Sequence, residues 1–103
     1  MNPFLIVWTD KALSHLDSIH YFISQDSKEA ATKVVLILLN HVGFLINFPE
    51  AGRIEESNKK ISYRFVVKGN YKIVYRVIEK EKIILISAVF DTRQNPKSLK
   101  KFI

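Results

Sequence analysis

The chain has 103 residues, the length of a single domain, so two independently folding domains are excluded. It contains no cysteine, which excludes disulfide scaffolds, thiol nucleophiles, zinc fingers and iron–sulfur clusters. Lysine and arginine total 16 against 10 acidic residues, and the formal net charge of +6 favours phosphate-rich or acidic partners. All the arginines lie in the second half of the chain, so we expect an anionic partner to bind there.

The first half of the chain predicts a strand followed by two helices. Residues 4–8 are β-branched and aromatic, and Thr9 or Asp10 directly after them can cap a helix. Apolar residues then recur at helical spacing, and the polar run 24–27 offers a second cap before a helix predicted over residues 28–46. That second helix is apolar nearly all round. The sheet can cover only one side of it, so the first helix, a loop or another protein must cover the other.

The second half predicts three strands. From residue 61 the apolar pattern changes to a period of two, and the strands are predicted over residues 61–67, 71–78 and 83–90. Tight turns join them, and residues 95–103 predict one or two turns of C-terminal helix. The predicted order is βααβββ, an α+β domain in which a two-helix hairpin packs on an antiparallel-rich twisted sheet.

Neither a membrane span nor a signal peptide is expected. Residues 4–8 are too few for a signal-peptide core, and no basic segment precedes them. The most apolar stretch, residues 34–46, is interrupted by polar residues and is shorter than the ~20 residues that a bilayer requires. We therefore expect a cytoplasmic protein with no membrane partner.

The sequence contains no motif of a common metal or phosphate site. His15 and His20 are five residues apart, about 140° around a helix, so they cannot chelate one metal ion together. The three glycines do not form a phosphate-binding loop, and no serine lies in the strained turn that a catalytic triad needs. We expect neither a metal nor a cofactor.

Basic residues alternate with tyrosines along the predicted strands. Guanidinium groups bind phosphate bidentately and tyrosine rings stack on bases, a combination that suits RNA or an anionic protein. If Gly69 and Asn70 form a two-residue turn, Lys72 and Arg76 share one face of the sheet and Arg64 lies on the other face with Tyr75; a bulge or a one-residue slip would reverse this. In the alternative interpretation the tyrosines are core residues and the basic residues protect sheet edges.

Several short segments along these elements carry a family resemblance. They are VWTDKAL, FPEAGR, YR, GNYKIVYRV and VFDTRQNP, at residues 7–13, 48–53, 63–64, 69–77 and 89–96. In this order around a βααβββ pattern, they make the chain similar to the RelE/ParE superfamily of toxins from type II toxin–antitoxin modules, closer to the ParE, or plasmid-stabilisation, branch. The similarity covers nearly the whole chain, so we expect one toxin domain over residues 1–103.

The resemblance implies a small toxin that a co-expressed antitoxin holds inactive in a hetero-oligomer. RelE-like members are ribosome-dependent endoribonucleases that cut messenger RNA, whereas ParE-like members inhibit growth by poisoning DNA gyrase and are not known as nucleases. The expected target is therefore either DNA gyrase or the ribosome with its mRNA. A third hypothesis is a non-toxic nucleic-acid-binding domain that uses the basic sheet.

The resemblance also implies roles for individual residues. Arg64, Lys72 and Arg93 fall where ribonuclease members keep the basic groups that hold the scissile phosphate. Asp91 stands where many nucleases have histidine; aspartate can act as a base, but it also repels phosphate. No tyrosine or histidine follows near the C-terminus to complete the acid–base pair. These four residues are catalytic candidates only if the protein is a nuclease, and the incomplete match favours gyrase poisoning.

Four further residues are predicted to bind the target or RNA. They are Arg53, Tyr71, Tyr75 and Arg76. Of these, Arg53 matches the Gly-Arg pair that follows the second helix in the family, where a structural role is as well supported as a functional one.

Overall fold

The computed structural model describes residues 3–56 and 60–93. Two helices pack on one face of a five-stranded sheet whose strand order is β1-β5-β4-β3-β2. The elements are β1 (Leu5–Trp8), α1 (Asp10–Ser24), α2 (Lys28–His41), β2 (Arg53–Glu55), β3 (Tyr63–Lys68), β4 (Tyr71–Ile78) and β5 (Ile83–Asp91). Only β1 and β5 pair in parallel among the described strands; the other pairs are antiparallel. The α+β fold with a helical hairpin on an antiparallel-rich sheet is confirmed.

Both helices begin where the sequence predicts. The hydroxyl of Thr9 accepts a hydrogen bond from the Ala12 amide at 3.0 Å, and that of Ser27 accepts one from the Ala30 amide at 3.1 Å. α2 ends at His41 and continues as a 3-10 helix over Val42–Ile46. The segment predicted as one helix over residues 28–46 is therefore helical throughout, with a tighter last part.

One strand was not predicted. No strand is predicted between the second helix and residue 61, but residues 53–55 form β2, which pairs with β3 through Arg53 opposite Phe65 and Glu55 opposite Tyr63. A three-residue strand is too short to show a period of two, and pairing with β3 is what makes it a strand. The element order is thus βααββββ. The predicted C-terminal helix lies outside the described residues.

The turn between β3 and β4 sets the two faces of the sheet. Lys68 pairs with Tyr71 and Val67 with Lys72, which confirms the two-residue turn, and Gly69 adopts the left-handed φ of 59° that such a turn favours. Because side chains alternate along a strand, one face packs on the helices and is here called the helix face. The opposite face is called the open face.

Each face has its own apolar cluster. On the helix face, Ile73, Tyr75, Ile84, Ile86 and Val89 pack with residues of both helices such as Leu16 and Leu38. On the open face, Val74, Ala88 and Phe90 pack with Tyr63 and Phe65. The sheet therefore carries apolar side chains on both of its faces. The position of a charged residue along its strand decides on which face its side chain lies.

A bulge in β5 decides where its last residues lie. Tyr75 pairs with Ile86 and Val74 with Ala88, so Ser87 is an extra residue on β5. The extra residue shifts the alternation, and Asp91 consequently lies opposite Tyr71. The bulge lies between β4 and β5 and leaves the pairing of Arg64 with Tyr75 as predicted.

α2 buries one side and leaves the other partly exposed. Ala31 and Leu38 are buried, whereas Leu36 is 53% and Ile37 39% exposed. By length and composition alone, the helical segment Lys28–Ile46 could cross a membrane, whereas the expectation of no span considered only its residues 34–46. The core helix of a soluble domain shares these properties, and Leu38 packs in the same apolar cluster as the sheet residues.

Candidate functional site

The predicted site residues lie in three separate places. Arg64 and Tyr75 contact the loop before β2, on the helix face. Tyr71, Asp91 and Arg93 line a groove beside α1. The other three, Arg53, Lys72 and Arg76, occupy the open-face positions of their strands.

The side chain of Tyr75 forms hydrogen bonds with the loop that precedes β2. Its side chain is fully buried, and its hydroxyl accepts the Gly52 N–H at 2.9 Å and donates to the Pro49 carbonyl at 2.8 Å. Burial raises the pKa of the phenol above its usual range. The hydroxyl is thus a neutral part of the fold that satisfies two backbone groups.

Arg64 binds the same loop from the neighbouring strand. Its Nη1 donates to the carbonyl of Gly52 at 2.8 Å and to that of Glu50 at 3.2 Å. The backbone passes so close to Tyr75 that a Cβ at Gly52 would lie 2.6 Å from the tyrosine oxygen and 2.7 Å from the Phe65 carbonyl oxygen. Packing therefore requires the glycine of the Gly-Arg pair.

The groove lies between the C-terminal half of α1 and the ends of β4 and β5. Its volume is about 630 Å³, and it is lined by Ser18, Ile19, Tyr21, Phe22, Tyr71, Asp91 and Arg93. Tyr21 and Phe22 are 70% and 75% exposed, which is high for aromatic side chains. A mostly apolar groove with one ion pair at its rim suits a peptide or a base better than an extended run of phosphates.

The ion pair in this groove joins Asp91 to Arg93. The carboxylate accepts Nε at 2.9 Å and Nη2 at 2.6 Å, and these hydrogen bonds lower the pKa of Asp91. Burial and the Asp91 charge raise the pKa of the Tyr71 phenol. Near neutral pH the groove therefore holds an ionised carboxylate, a paired guanidinium and a protonated phenol.

On the open face, the ammonium of Lys72 forms an ion pair with Glu55. It also lies 4.1 Å from the centroid of the Phe65 ring, within the range of a cation–π interaction. Arg76 is half-buried opposite Leu85, and Arg53 is exposed on the edge strand β2. Lys72 is thus already engaged by two side chains.

The four catalytic candidates do not converge. Arg64 and Lys72 lie on opposite faces of the sheet, as the turn predicted, and Arg64 donates to backbone carbonyls. Asp91 and Arg93 are paired with each other. The sequence missed Glu55, because nothing in it indicates that a residue of an unrecognised strand faces Lys72.

The described histidines also have structural contacts. His15 accepts the Val89 N–H at Nδ1 over 3.1 Å, and burial, with a smaller effect of Lys11, lowers its pKa. His20 lies 3.4 Å from the Thr32 hydroxyl. Within residues 3–56 and 60–93, no group of three or more acidic or histidine side chains is arranged to hold a metal ion.

Comparison with known proteins agrees with this architecture. A family model described as the ParE toxin of the type II toxin–antitoxin system, parDE, matches residues 6–96. The chain belongs to the ParE toxin family. A search of curated proteins found no match.

Solved structures of toxins share the fold of this ParE-family chain. A structure of the chromosomal ParDE toxin–antitoxin system from P. aeruginosa is 24% identical with a TM-score of 0.70, covering 87% of this chain and 97% of that one. The RelBE2 toxin–antitoxin complex from Mycobacterium tuberculosis is 18% identical with a TM-score of 0.61, covering 87% and 99%. A mutant of E. coli toxin RelE in the free state is 15% identical with a TM-score of 0.59, covering 89% and 86%.

Proposed function

We propose that this ParE-family toxin inhibits growth by poisoning DNA gyrase and that a cognate antitoxin holds it inactive. The observation that carries the choice of target is the dispersal of the residues that a nuclease would need. Arg64 lies on the helix face, Lys72 lies on the open face, and both are occupied by contacts within the chain. A scissile phosphate cannot contact both of these side chains at once.

The protonation states of the groups in the groove also argue against RNA cleavage. Cleavage through the 2′-hydroxyl needs one group to accept its proton and another to protonate the leaving oxygen. The lowered pKa of Asp91 makes this carboxylate a weak base, and the raised pKa of Tyr71 keeps the phenol protonated. His15, whose pKa is lowered by burial, uses Nδ1 to accept the Val89 N–H. These contacts support a toxin that acts by binding.

Exposed apolar side chains support an antitoxin partner. Leu36 and Ile37 on α2 are exposed, as are Phe44 and Phe48 directly after it. Apolar surface of this kind is typical of a protein–protein interface. The solved structures of similar fold include the ParDE system and the RelBE2 complex, both of which contain an antitoxin by their descriptions. We therefore expect a hetero-oligomer in which the antitoxin covers α2.

Induction in cells distinguishes gyrase poisoning from RNA cleavage. Within minutes of induction we expect DNA synthesis to stop while primer extension on an abundant transcript shows no new cuts. Cuts within codons that disappear in an Asp91→Asn variant, with DNA synthesis continuing, would identify an endoribonuclease instead. Normal growth on induction, with retention on a nucleic-acid column, would identify a non-toxic binding domain.

A further inference from the structure

The two edge strands of the described sheet differ in charge. β2, at one edge, carries Arg53 and Glu55, and charged side chains discourage a further strand from pairing with a sheet edge. β1, at the other edge, is Leu5–Trp8, a strand of apolar residues with no charged side chain. The edge formed by β1 therefore lacks the charges that protect the edge formed by β2.

The hydrogen bonds of β1 show which of its backbone groups point away from the sheet. The N–H groups of Leu5 and Thr9 donate to carbonyls at the start of β5 and along it, at 2.9 and 3.0 Å. In a parallel pair every second residue of a strand bonds to its neighbour, so the residues between these direct their N–H and C=O groups the other way. Ile6 and Trp8 thus present two donors and two acceptors at the free edge of β1.

The side chains of β1 add exposed apolar surface beside this edge. Val7 lies opposite Leu85, and Leu85 lies opposite Arg76, which places Val7 and Leu5 on the open face. Leu5 is 67% and Val7 39% exposed. Unpaired backbone groups beside exposed apolar side chains are the features with which a sheet edge binds a further strand.

We propose that this edge binds a second copy of the chain, with the two β1 strands antiparallel around a two-fold axis at Val7. The outward backbone groups are self-complementary in this register. Ile6 of each copy lies opposite Trp8 of the other, and each such pair exchanges two N–H···O=C hydrogen bonds. Val7 lies opposite Val7 of the second copy, so their exposed side chains meet on the open face.

The charges near the edge favour a second copy. The chain has a net charge of +6, but none of this charge lies on β1, so like charges do not meet where the strands pair. Asp10 follows the strand, and the register brings it next to Phe4 of the second copy, whose ring lies 5.0 Å from the Lys82 ammonium. Residues of opposite charge therefore meet at each end of the paired strands. An acidic antitoxin segment, by contrast, finds no basic side chain on β1 itself.

Single cysteines test the register, because the chain contains no cysteine of its own. The Cα atoms of a non-hydrogen-bonded antiparallel pair are about 4.5 Å apart, a distance that a disulfide spans. Val7→Cys in the free, full-length toxin should therefore form a disulfide-linked dimer on mild oxidation, about tenfold faster than either of two controls, because pairing raises the effective concentration of the thiols.

The controls match this variant in face and in chemistry. Leu5→Cys lies on the same strand and face, but the pairing holds it about 13 Å along the strand from its equivalent. Val67→Cys lies on the open face of β3, far from β1, and the parent side chain is 50% exposed. Val7 is the least exposed of the three side chains, so random collision predicts the opposite order of oxidation rates.

Two results would overturn the proposal. The first is a Val7→Cys protein, folded by circular dichroism, that oxidises no faster than Leu5→Cys. The second comes from hydrogen exchange of the parent chain, in which the Ile6 and Trp8 amides should become protected as the toxin concentration rises. Protection that appears only when the antitoxin is added would assign the edge to the antitoxin. Neither measurement depends on whether gyrase is the target.

Discussion

Removal of one oxygen atom at Tyr75 tests whether this predicted target-binding residue is instead a support for the fold. In Tyr75→Phe the ring stays in the core, but the Gly52 N–H loses its acceptor and the Pro49 carbonyl loses its donor. Gly52 is buried, so water cannot readily replace the hydroxyl there. The loop before β2 should then be weakened at its point of closest packing.

The expected loss of stability follows from these two groups. A buried donor or acceptor left without a partner costs about 1–3 kcal/mol. The Gly52 amide should contribute the larger share, so Tyr75→Phe should lose about 2–4 kcal/mol. In a domain of this length about 1 kcal/mol corresponds to 4–8 °C in Tm, so Tm should fall by about 8–32 °C.

Urea unfolding followed by circular dichroism measures this loss. Tyr21→Phe is the matched control, because the same atom is removed from a side chain that is 70% exposed, and its free energy of unfolding should hardly change. The reasoning is refuted if the two variants are equally stable, since the Tyr75 hydroxyl would then contribute nothing to the loop.

Two further predictions concern the fold. Gly52→Ala should destabilise the protein by about 1–3 kcal/mol, because the added methyl meets the Tyr75 oxygen and a backbone carbonyl; Gly43→Ala, which meets no atom within 4 Å, should be neutral or slightly stabilising in the same urea titration. The free energy of unfolding should also decrease as the pH is lowered through the ordinary histidine pKa near 6.5, because the lowered pKa of folded His15 means that the unfolded chain binds the proton first. Unfolding titrations at several pH values should show a smaller decrease in His15→Gln, and an equal decrease would assign the effect to other groups.

The sequence predicts the fold wherever a pattern is long enough to read. The caps at Thr9 and Ser27 and the turn at Gly69 are local signals, and all are confirmed. β2 was missed because its three residues become a strand only through pairing with β3. Such pairing is a tertiary effect that no local pattern reports.

The candidate site was predictable only in part. The faces of Arg64 and Lys72 follow from the turn and were correct. What those side chains contact did not follow, because the Gly52 carbonyl and the Glu55 carboxylate are brought to them by a loop and by the unrecognised strand. The residue types of the sequence suggest which side chains could bind phosphate. Whether these side chains are free to do so depends on the groups of the same chain that they already contact.

A supercoiling assay with purified DNA gyrase tests the central claim most directly. Relaxed plasmid, gyrase and ATP are incubated with the toxin alone and with the toxin bound to its antitoxin. We predict that the free toxin blocks supercoiling and traps gyrase on cleaved DNA, and that the antitoxin abolishes both effects. Unchanged supercoiling at a toxin concentration that produces cuts in ribosome-bound mRNA would contradict the account.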